Sequence, residues 1–202
     1  MNNRPGKQLL LNFPSHPEYD FSNFVVSEGS RIAFETAKEF CSENPAPYQA
    51  LYIFGQKNLG KTHLLLSIGN RVAERELRAV CIQGHDFVDK LGGDPSPEAQ
   101  QTLKQLLNVD FFLMDNVESL TNSPTAQEKL YHIYNQMMEK GGKLAFTANL
   151  PPDRNSAMES YLTSRFQWGM VAEIKPIDDS TTAKIILKLA KDINLTMPES
   201  II

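Results

Sequence analysis

The sequence predicts an α/β fold built on a five-stranded, mainly parallel sheet. Three observations carry that prediction. Short unbroken apolar runs recur along the chain, and such runs suit strands covered on both faces. Segments with helical apolar spacing separate them, the alternation expected of a parallel sheet with crossover helices. Between the first run and the helix after it stands Gly55-Gln56-Lys57-Asn58-Leu59-Gly60-Lys61-Thr62, a strand, glycine loop and helix start in the order that phosphate-binding loops require.

Residues 1–18 carry Pro5, Pro14 and Pro17 and one apolar cluster, Leu9-Leu10-Leu11. They read as an extended arm without a core of its own. From Ser30, Ile32, Phe34, Ala37 and Phe40 share one helical face, with Ser27 or Ser30 as the cap and Asn44-Pro45-Ala46-Pro47 as the stop. Ala50–Phe54 is the first buried strand. Residues 61–76 form a helix with Leu64, Leu65, Ile68 and Val72 on one face, and 78–82 a second strand. A short helix over 86–91, a Gly92-Gly93-Asp94-Pro95 turn and a helix over 97–107 lead to a third strand, 110–114. A long helix over 124–140 stops at Gly141-Gly142. A fourth strand at 143–147, a short helix near 156–163, a fifth strand at 170–174 and a last helix over 180–193 complete the chain.

Composition narrows the class. The 202 residues hold 20 basic and 24 acidic side chains, a net charge of −4, and 41% hydrophobic residues, which excludes disorder over most of the chain. No apolar run approaches the roughly 20 residues of a bilayer span, and the N-terminal leucines are too few for a secretory signal. Cys41 and Cys81 have no metal or redox spacing, so they are expected to be reduced in a cytoplasmic protein without a membrane partner. A pI near 5.6 argues against a strong duplex-DNA footprint.

The chemistry lies in the glycine loop and two strand ends. A chance match to G-x-x-x-x-G-K-[ST] in a chain this long is on the order of 1%. Gly55 and Gly60 let backbone N–H groups wrap a phosphate, and the following helix adds its dipole. Lys61 is expected to meet the β- and γ-phosphates and Thr62 to hold Mg²⁺. Asp115, ending a buried strand, is expected to act on Mg²⁺ through water; the bland reading is a helix cap. Asn116 stands where a carboxylate often orients the attacking water, and an amide cannot take a proton. Glu118 serves only if the chain turns it back. Asn149 either meets the γ-phosphate or merely ends a strand before Pro151-Pro152.

Together these pieces resemble the AAA+ ATPases, in particular the bacterial DnaA branch, over residues 19–198. Asp20-Phe21-Ser22-Asn23-Phe24-Val25-Val26 is similar to that branch's mouth of the nucleotide pocket. Leu59-Gly60-Lys61-Thr62-His63-Leu64-Leu65 is similar to its phosphate loop, and Ser164-Arg165-Phe166-Gln167-Trp168-Gly169 to its arginine-finger box. The resemblance implies a three-layer core over 19–175 and a partial helical lid over 176–202. It implies ADP or ATP with Mg²⁺ as cofactors, bound by Phe24, Val25, Val26, Gly55, Asn58, Leu59, Gly60, Lys61, Thr62, His63 and Asp115. It makes Asn149 the sensor-1 residue and turns Arg165 toward a neighbouring subunit's nucleotide. Leu150 and Tyr161 stand where the branch usually carries arginines.

Within the branch, Asp115-Asn116-Val117-Glu118, Tyr134–Gly141 and Leu195–Glu199 are similar to the short regulatory Hda subfamily, which lacks a DNA-binding helix-turn-helix. Gln8-Leu9-Leu10-Leu11-Asn12-Phe13 resembles peptides that dock on the DNA polymerase sliding clamp, with Gln8, Leu9, Leu11 and Phe13 as the contacts; an arm folding onto its own domain is the alternative. The implied function is a regulator that binds nucleotide, docks on the clamp and stimulates ATP hydrolysis by DnaA through Arg165, with weak hydrolysis of its own and room for self-association. A DnaA-type initiator ATPase fragment without its DNA-binding domain is the competing reading.

Overall fold

A computed structural model describes residues 11–12, 18–44, 46–192 and 195. The five expected strands are β2 (Ala50–Gly55), β3 (Ala79–Gln83), β4 (Phe111–Asp115), β5 (Lys143–Ala148) and β6 (Met170–Ile174), all parallel to one another. A sixth strand corrects the five-strand count. β1 (Leu11–Asn12) pairs antiparallel with β3, Leu11 opposite Cys81, giving the order β1-β3-β4-β5-β2-β6. Two residues of the arm therefore lie on the sheet edge, as the alternative reading of the arm expects. A two-residue pairing has no periodic pattern to read in advance.

Side-chain alternation sorts the strands into two cores. Leu51 and Ile53 of β2 face α1 (Arg31–Phe40) and α2 (Lys61–Ala73), in a cluster with Leu64, Leu65, Ile68 and Leu113. Tyr52 faces the other way, toward Phe112, Met114, Phe146 and Phe166, under α3 (Gly84–Leu91), α4 (Pro97–Leu107), α5 (Pro124–Glu139) and α6 (Ser160–Trp168). Both faces are covered, which is why the strands read as unbroken apolar runs. Cys41 and Cys81 are buried free thiols, and burial pushes the Cys41 thiol up to about 11.

Helix boundaries differ most at α6. The helix expected near 156–163 occupies Ser160–Trp168. Glu159 is held extended, its backbone N–H donating to Gln127 Oε1 at 2.7 Å, and the helix starts only after it. Arg165 thus sits in the last turn. α2 ends three residues early, at Ala73, and Glu76 adopts a left-handed conformation (φ 58°). Three 3₁₀ turns, Phe21–Asn23, Val117–Leu120 and Pro152–Arg154, carry no periodic signature in the sequence. The last helix, α7 (Asp179–Asp192), lies in the segment expected to form a lid. No helix among the described residues is long and apolar enough to cross a membrane.

Candidate functional site

The carboxyl ends of β2, β4 and β5 converge, the position at which open α/β sheets bind ligands. β2 ends at Gly55 and α2 begins at Lys61. Between them Asn58 (φ 63°) and Gly60 (φ 93°) take the left-handed backbone that a tight anion-wrapping loop needs. A Cβ on Gly60 would lie 2.6 Å from Phe24 Cε2, so the loop packs directly on an aromatic wall.

Lys61 is buried. Its Nζ donates to Gly55 O (2.8 Å), Gln56 O (2.7 Å) and Asn149 Oδ1 (3.2 Å). Burial lowers its pKa, while the carboxylates of Glu118 and Asp115 pull it back up. A cavity of about 550 Å³ opens here, lined by Lys57, Asn58, Gly60, Lys61, Thr62, Asn116 and Asn149. It brings together five of the predicted loop and sensor residues, and Asn116 beside them.

Asp115 is 2% exposed and fully bonded. Its Oδ2 accepts from Thr62 Oγ1 at 2.8 Å and from Gln83 Nε2 at 2.9 Å; its Oδ1 accepts from Thr147 Oγ1. The helix-cap reading of Asp115 falls, because these partners are side chains of three other elements. A hydroxyl and a carboxylate this close at the loop are a donor set that fits Mg²⁺, and Thr62 and Asp115 are the residues that would hold it. Gln83 and Thr147 were not among the predicted residues. Their signal is a polar side chain at or near the end of an otherwise apolar strand, Gln83 in register with Asp115. Thr147 also accepts from the backbone N–H of Asn116 at 3.0 Å. Thr147→Val keeps the shape but orphans that N–H and one Asp115 oxygen. Chemical denaturation should show a loss of about 1–3 kcal/mol, and an unchanged midpoint would refute the bonded role.

Asn116 is left-handed (φ 58°, ψ 62°), and its Nδ2 donates to Gln83 Oε1 at 3.3 Å. The turn it begins brings Glu118 back, and Glu118 Oε1 accepts from Asn149 Nδ2. Asn149 therefore joins Lys61 to Glu118 and is more than a strand-ending asparagine.

A second cavity of about 730 Å³ adjoins the loop, with Phe24, Val25, Asn58, Leu59, Gly60 and His63 among its walls. Ile177, Ile185, Lys188 and Leu189, from α7 and the segment before it, close its far side. Its largely apolar walls suit a planar base. Lys188 Nζ bonds to the Asn23 carbonyl at 2.5 Å, tying α7 to the pocket mouth. His63 braces the wall of this cavity: its Nε2 pairs with Asp20 O at 3.0 Å and its ring packs edge-on against Tyr19 and Phe24. Val26 departs from expectation. It is 38% exposed and is not among the lining residues.

Arg165 lines neither cavity. Its Nε donates to Asn135 Oδ1 at 3.1 Å, and its guanidinium lies 5.4 Å from the Tyr131 ring and 4.6 Å from the Trp168 ring. Trp168 is 75% exposed, and its ring packs against Arg165. Tyr161 packs edge-on against Tyr131 at 5.0 Å, so it buttresses the platform on which Arg165 rests. Of the arm residues, Gln8, Leu9 and Phe13 lie outside the described residues, as does the Thr196–Glu199 segment; Leu11 is described by its pairing in β1. Among the described residues, no group of three or more His, Cys, Asp or Glu forms a further metal site.

Comparison with known proteins agrees with this geometry. The chain matches the family described as Bacterial DnaA ATPAse domain over residues 15–173. It is 33% identical to the chromosomal replication initiator protein DnaA of Thermotoga petrophila, over 97% of this chain and 45% of that protein. The chain thus spans under half the length of the curated relatives it matches. Domain III of the Thermotoga maritima initiator superposes with a TM-score of 0.83 at 34% identity, covering 93% of this chain and 79% of that one. AMPPCP-bound DnaA from Aquifex aeolicus superposes at 0.80 and 28% identity, covering 92% and 58%.

Proposed function

We propose, from the premise that the chain belongs to the bacterial DnaA ATPase-domain family, that it is a DnaA-type AAA+ ATPase module acting in the initiation of DNA replication. One observation carries the nucleotide reading: Lys61, Thr62, Asp115 and Asn149 meet at the ends of three strands, beside a largely apolar cavity of about 730 Å³. The loop amides and Lys61 hold the phosphates. Phe24, Val25 and Leu59 take the base, in line with the AMPPCP named for the Aquifex relative. Thr62 and Asp115 hold Mg²⁺, which supplies charge neutralisation at the β- and γ-phosphates. Arg165, turned away from both cavities, completes the site of a neighbouring subunit. Titration of the chain with ATP or ADP in the presence of Mg²⁺ tests the reading. Saturable binding of both and slow turnover by the isolated chain are expected; no binding rejects it.

A second reading is supported by a specific sequence feature. Asn116 after Asp115, together with the arm peptide Gln8–Phe13, favours an Hda-type regulator that docks on the sliding clamp and acts on DnaA–ATP. Clamp pull-down separates the two. On the regulator reading, replacing Gln8, Leu11 and Phe13 together by Ala abolishes capture while the melting temperature changes little, because the arm's described residues in the sheet are the edge pair Leu11–Asn12. Capture by the unmodified chain that survives the triple replacement assigns docking to another surface. No capture at all leaves the initiator-type reading alone.

A further inference from the structure

We propose that Glu118 is the hydrolytic carboxylate of this nucleotide site, filling the role that the amide of Asn116 cannot. The inference deepens the ATPase reading above and rests on it. Its starting point is the backbone. Asn116 leaves β4 in the left-handed region and opens a 3₁₀ turn over Val117–Leu120. That reversal carries the side chain two residues on back to the end of β5, where Glu118 Oε1 accepts from Asn149 Nδ2.

The other oxygen is the telling one. Glu118 Oε2 is buried and has no hydrogen-bond partner, alone in this among the side-chain polar atoms of the described residues. A buried carboxylate oxygen without a donor is costly, and costs of that kind concentrate where a ligand or reactant supplies the missing partner. The neighbouring groups are already committed. Asp115 accepts from Thr62 and Gln83 on one oxygen and from Thr147 on the other. Asn116 donates its amide to Gln83.

Asn149 supplies the link to the phosphates. Its Oδ1 accepts from Lys61 Nζ at 3.2 Å, which turns its Nδ2 toward Glu118. The carboxylate is thereby fixed one amide away from the phosphate-binding cation, and its charge is the largest influence holding Lys61 protonated against burial. Glu118 Oε2 accepts the proton of a water whose oxygen attacks the γ-phosphorus. The bond from that phosphorus to the bridging oxygen breaks, its electron pair stays with the departing ADP, and Glu118 passes the proton on to inorganic phosphate. General-base help of this type is worth about 10²–10⁴ in rate.

The test compares Glu118→Gln with the unmodified chain in single-turnover ATP hydrolysis and in ATP and ADP binding. Glu118→Gln is nearly isosteric, and its carbonyl oxygen still accepts from Asn149. Hydrolysis should fall at least tenfold. Affinity for ATP relative to ADP should rise at least about threefold, because a negative charge one amide from Lys61 is gone. Glu118→Asp guards against a folding defect: it keeps the charge, so it should leave the affinity ratio unaltered while lowering turnover. Hydrolysis within twofold of the unmodified chain, an unchanged affinity ratio in Glu118→Gln, or an unmodified chain that binds ATP without hydrolysing it each overturns the proposal. In all three cases nucleotide binding, and with it the site reading, still stands. Loss of nucleotide binding by the unmodified chain would defeat both.

Discussion

Lys61→Met should weaken nucleotide binding on the order of 100-fold, a change of about 2.7 kcal/mol. The expectation follows from what Lys61 does in the fold. Its ammonium is desolvated, and three acceptors, Gly55 O, Gln56 O and Asn149 Oδ1, hold it in the cavity wall. A buried cation facing phosphate oxygens makes charge-assisted bonds that no neutral side chain replaces. Methionine keeps an unbranched apolar stem of similar length, so the change isolates charge from packing. Ligand-induced stabilisation gives the readout. Nucleotide at a hundred times the unmodified Kd adds about 2.7 kcal/mol to the unmodified chain but about 0.4 kcal/mol to the variant. For a chain of this size that separates a rise in melting temperature of roughly 5–10 °C from one of about 1 °C. An equal rise in both would remove Lys61, and the phosphate assignment with it, from the site.

The parts of this site that are legible in the sequence are those fixed by local rules. The loop from Gly55 to Thr62 declares itself because left-handed backbone and close approach demand particular residues at particular spacings. Asp115 declares itself because a carboxylate terminating Phe111-Phe112-Leu113-Met114 has no place in a core unless something uses it. The five parallel strands are legible because helices cover both faces and leave no polar alternation to confuse the pattern.

What the sequence hides is set by tertiary juxtaposition. Glu118 is two residues from the expected position of a carboxylate, and only the left-handed turn at Asn116 returns it to Asn149. Thr147 looks like an ordinary strand residue until Asp115 and Asn116 are placed beside it. The contact of Trp168 with Arg165 emerges only once α6 is found to run over Ser160–Trp168, which sets both in its last turn. The pairing of Leu11–Asn12 with β3 is a backbone event with no side-chain signature.

Arg165→Ala should leave nucleotide binding by the same chain unchanged and yet remove about 10³ or more of the hydrolysis that assembly stimulates. Arg165 lines neither cavity, and its side-chain contacts are with Asn135, Tyr131 and Trp168 rather than with the loop, Asp115 or Asn149, so its loss leaves the chain's own site intact. On the finger reading, its contacts prepare it for a target outside the chain. Asn135 takes the Nε hydrogen, while Tyr131 and Trp168 flank the guanidinium plane, so the side chain surrenders little entropy when it meets a phosphoryl group. Arg165→Lys should fail almost as fully, because an ammonium has neither the planar donor fork nor the same stacking on indole. Mixing separates action across an interface from action within a chain. Lys61→Met retains the arginine but binds nucleotide poorly; Arg165→Ala binds nucleotide but lacks the arginine. If Arg165 acts on a neighbour, the two variants together recover hydrolysis that neither shows alone, whether the neighbour is a second copy or, on the regulator reading, DnaA preloaded with ATP. Hydrolysis by Arg165→Ala assemblies equal to that of the unmodified chain would rule out the finger, and an inactive mixture would confine its action to its own subunit.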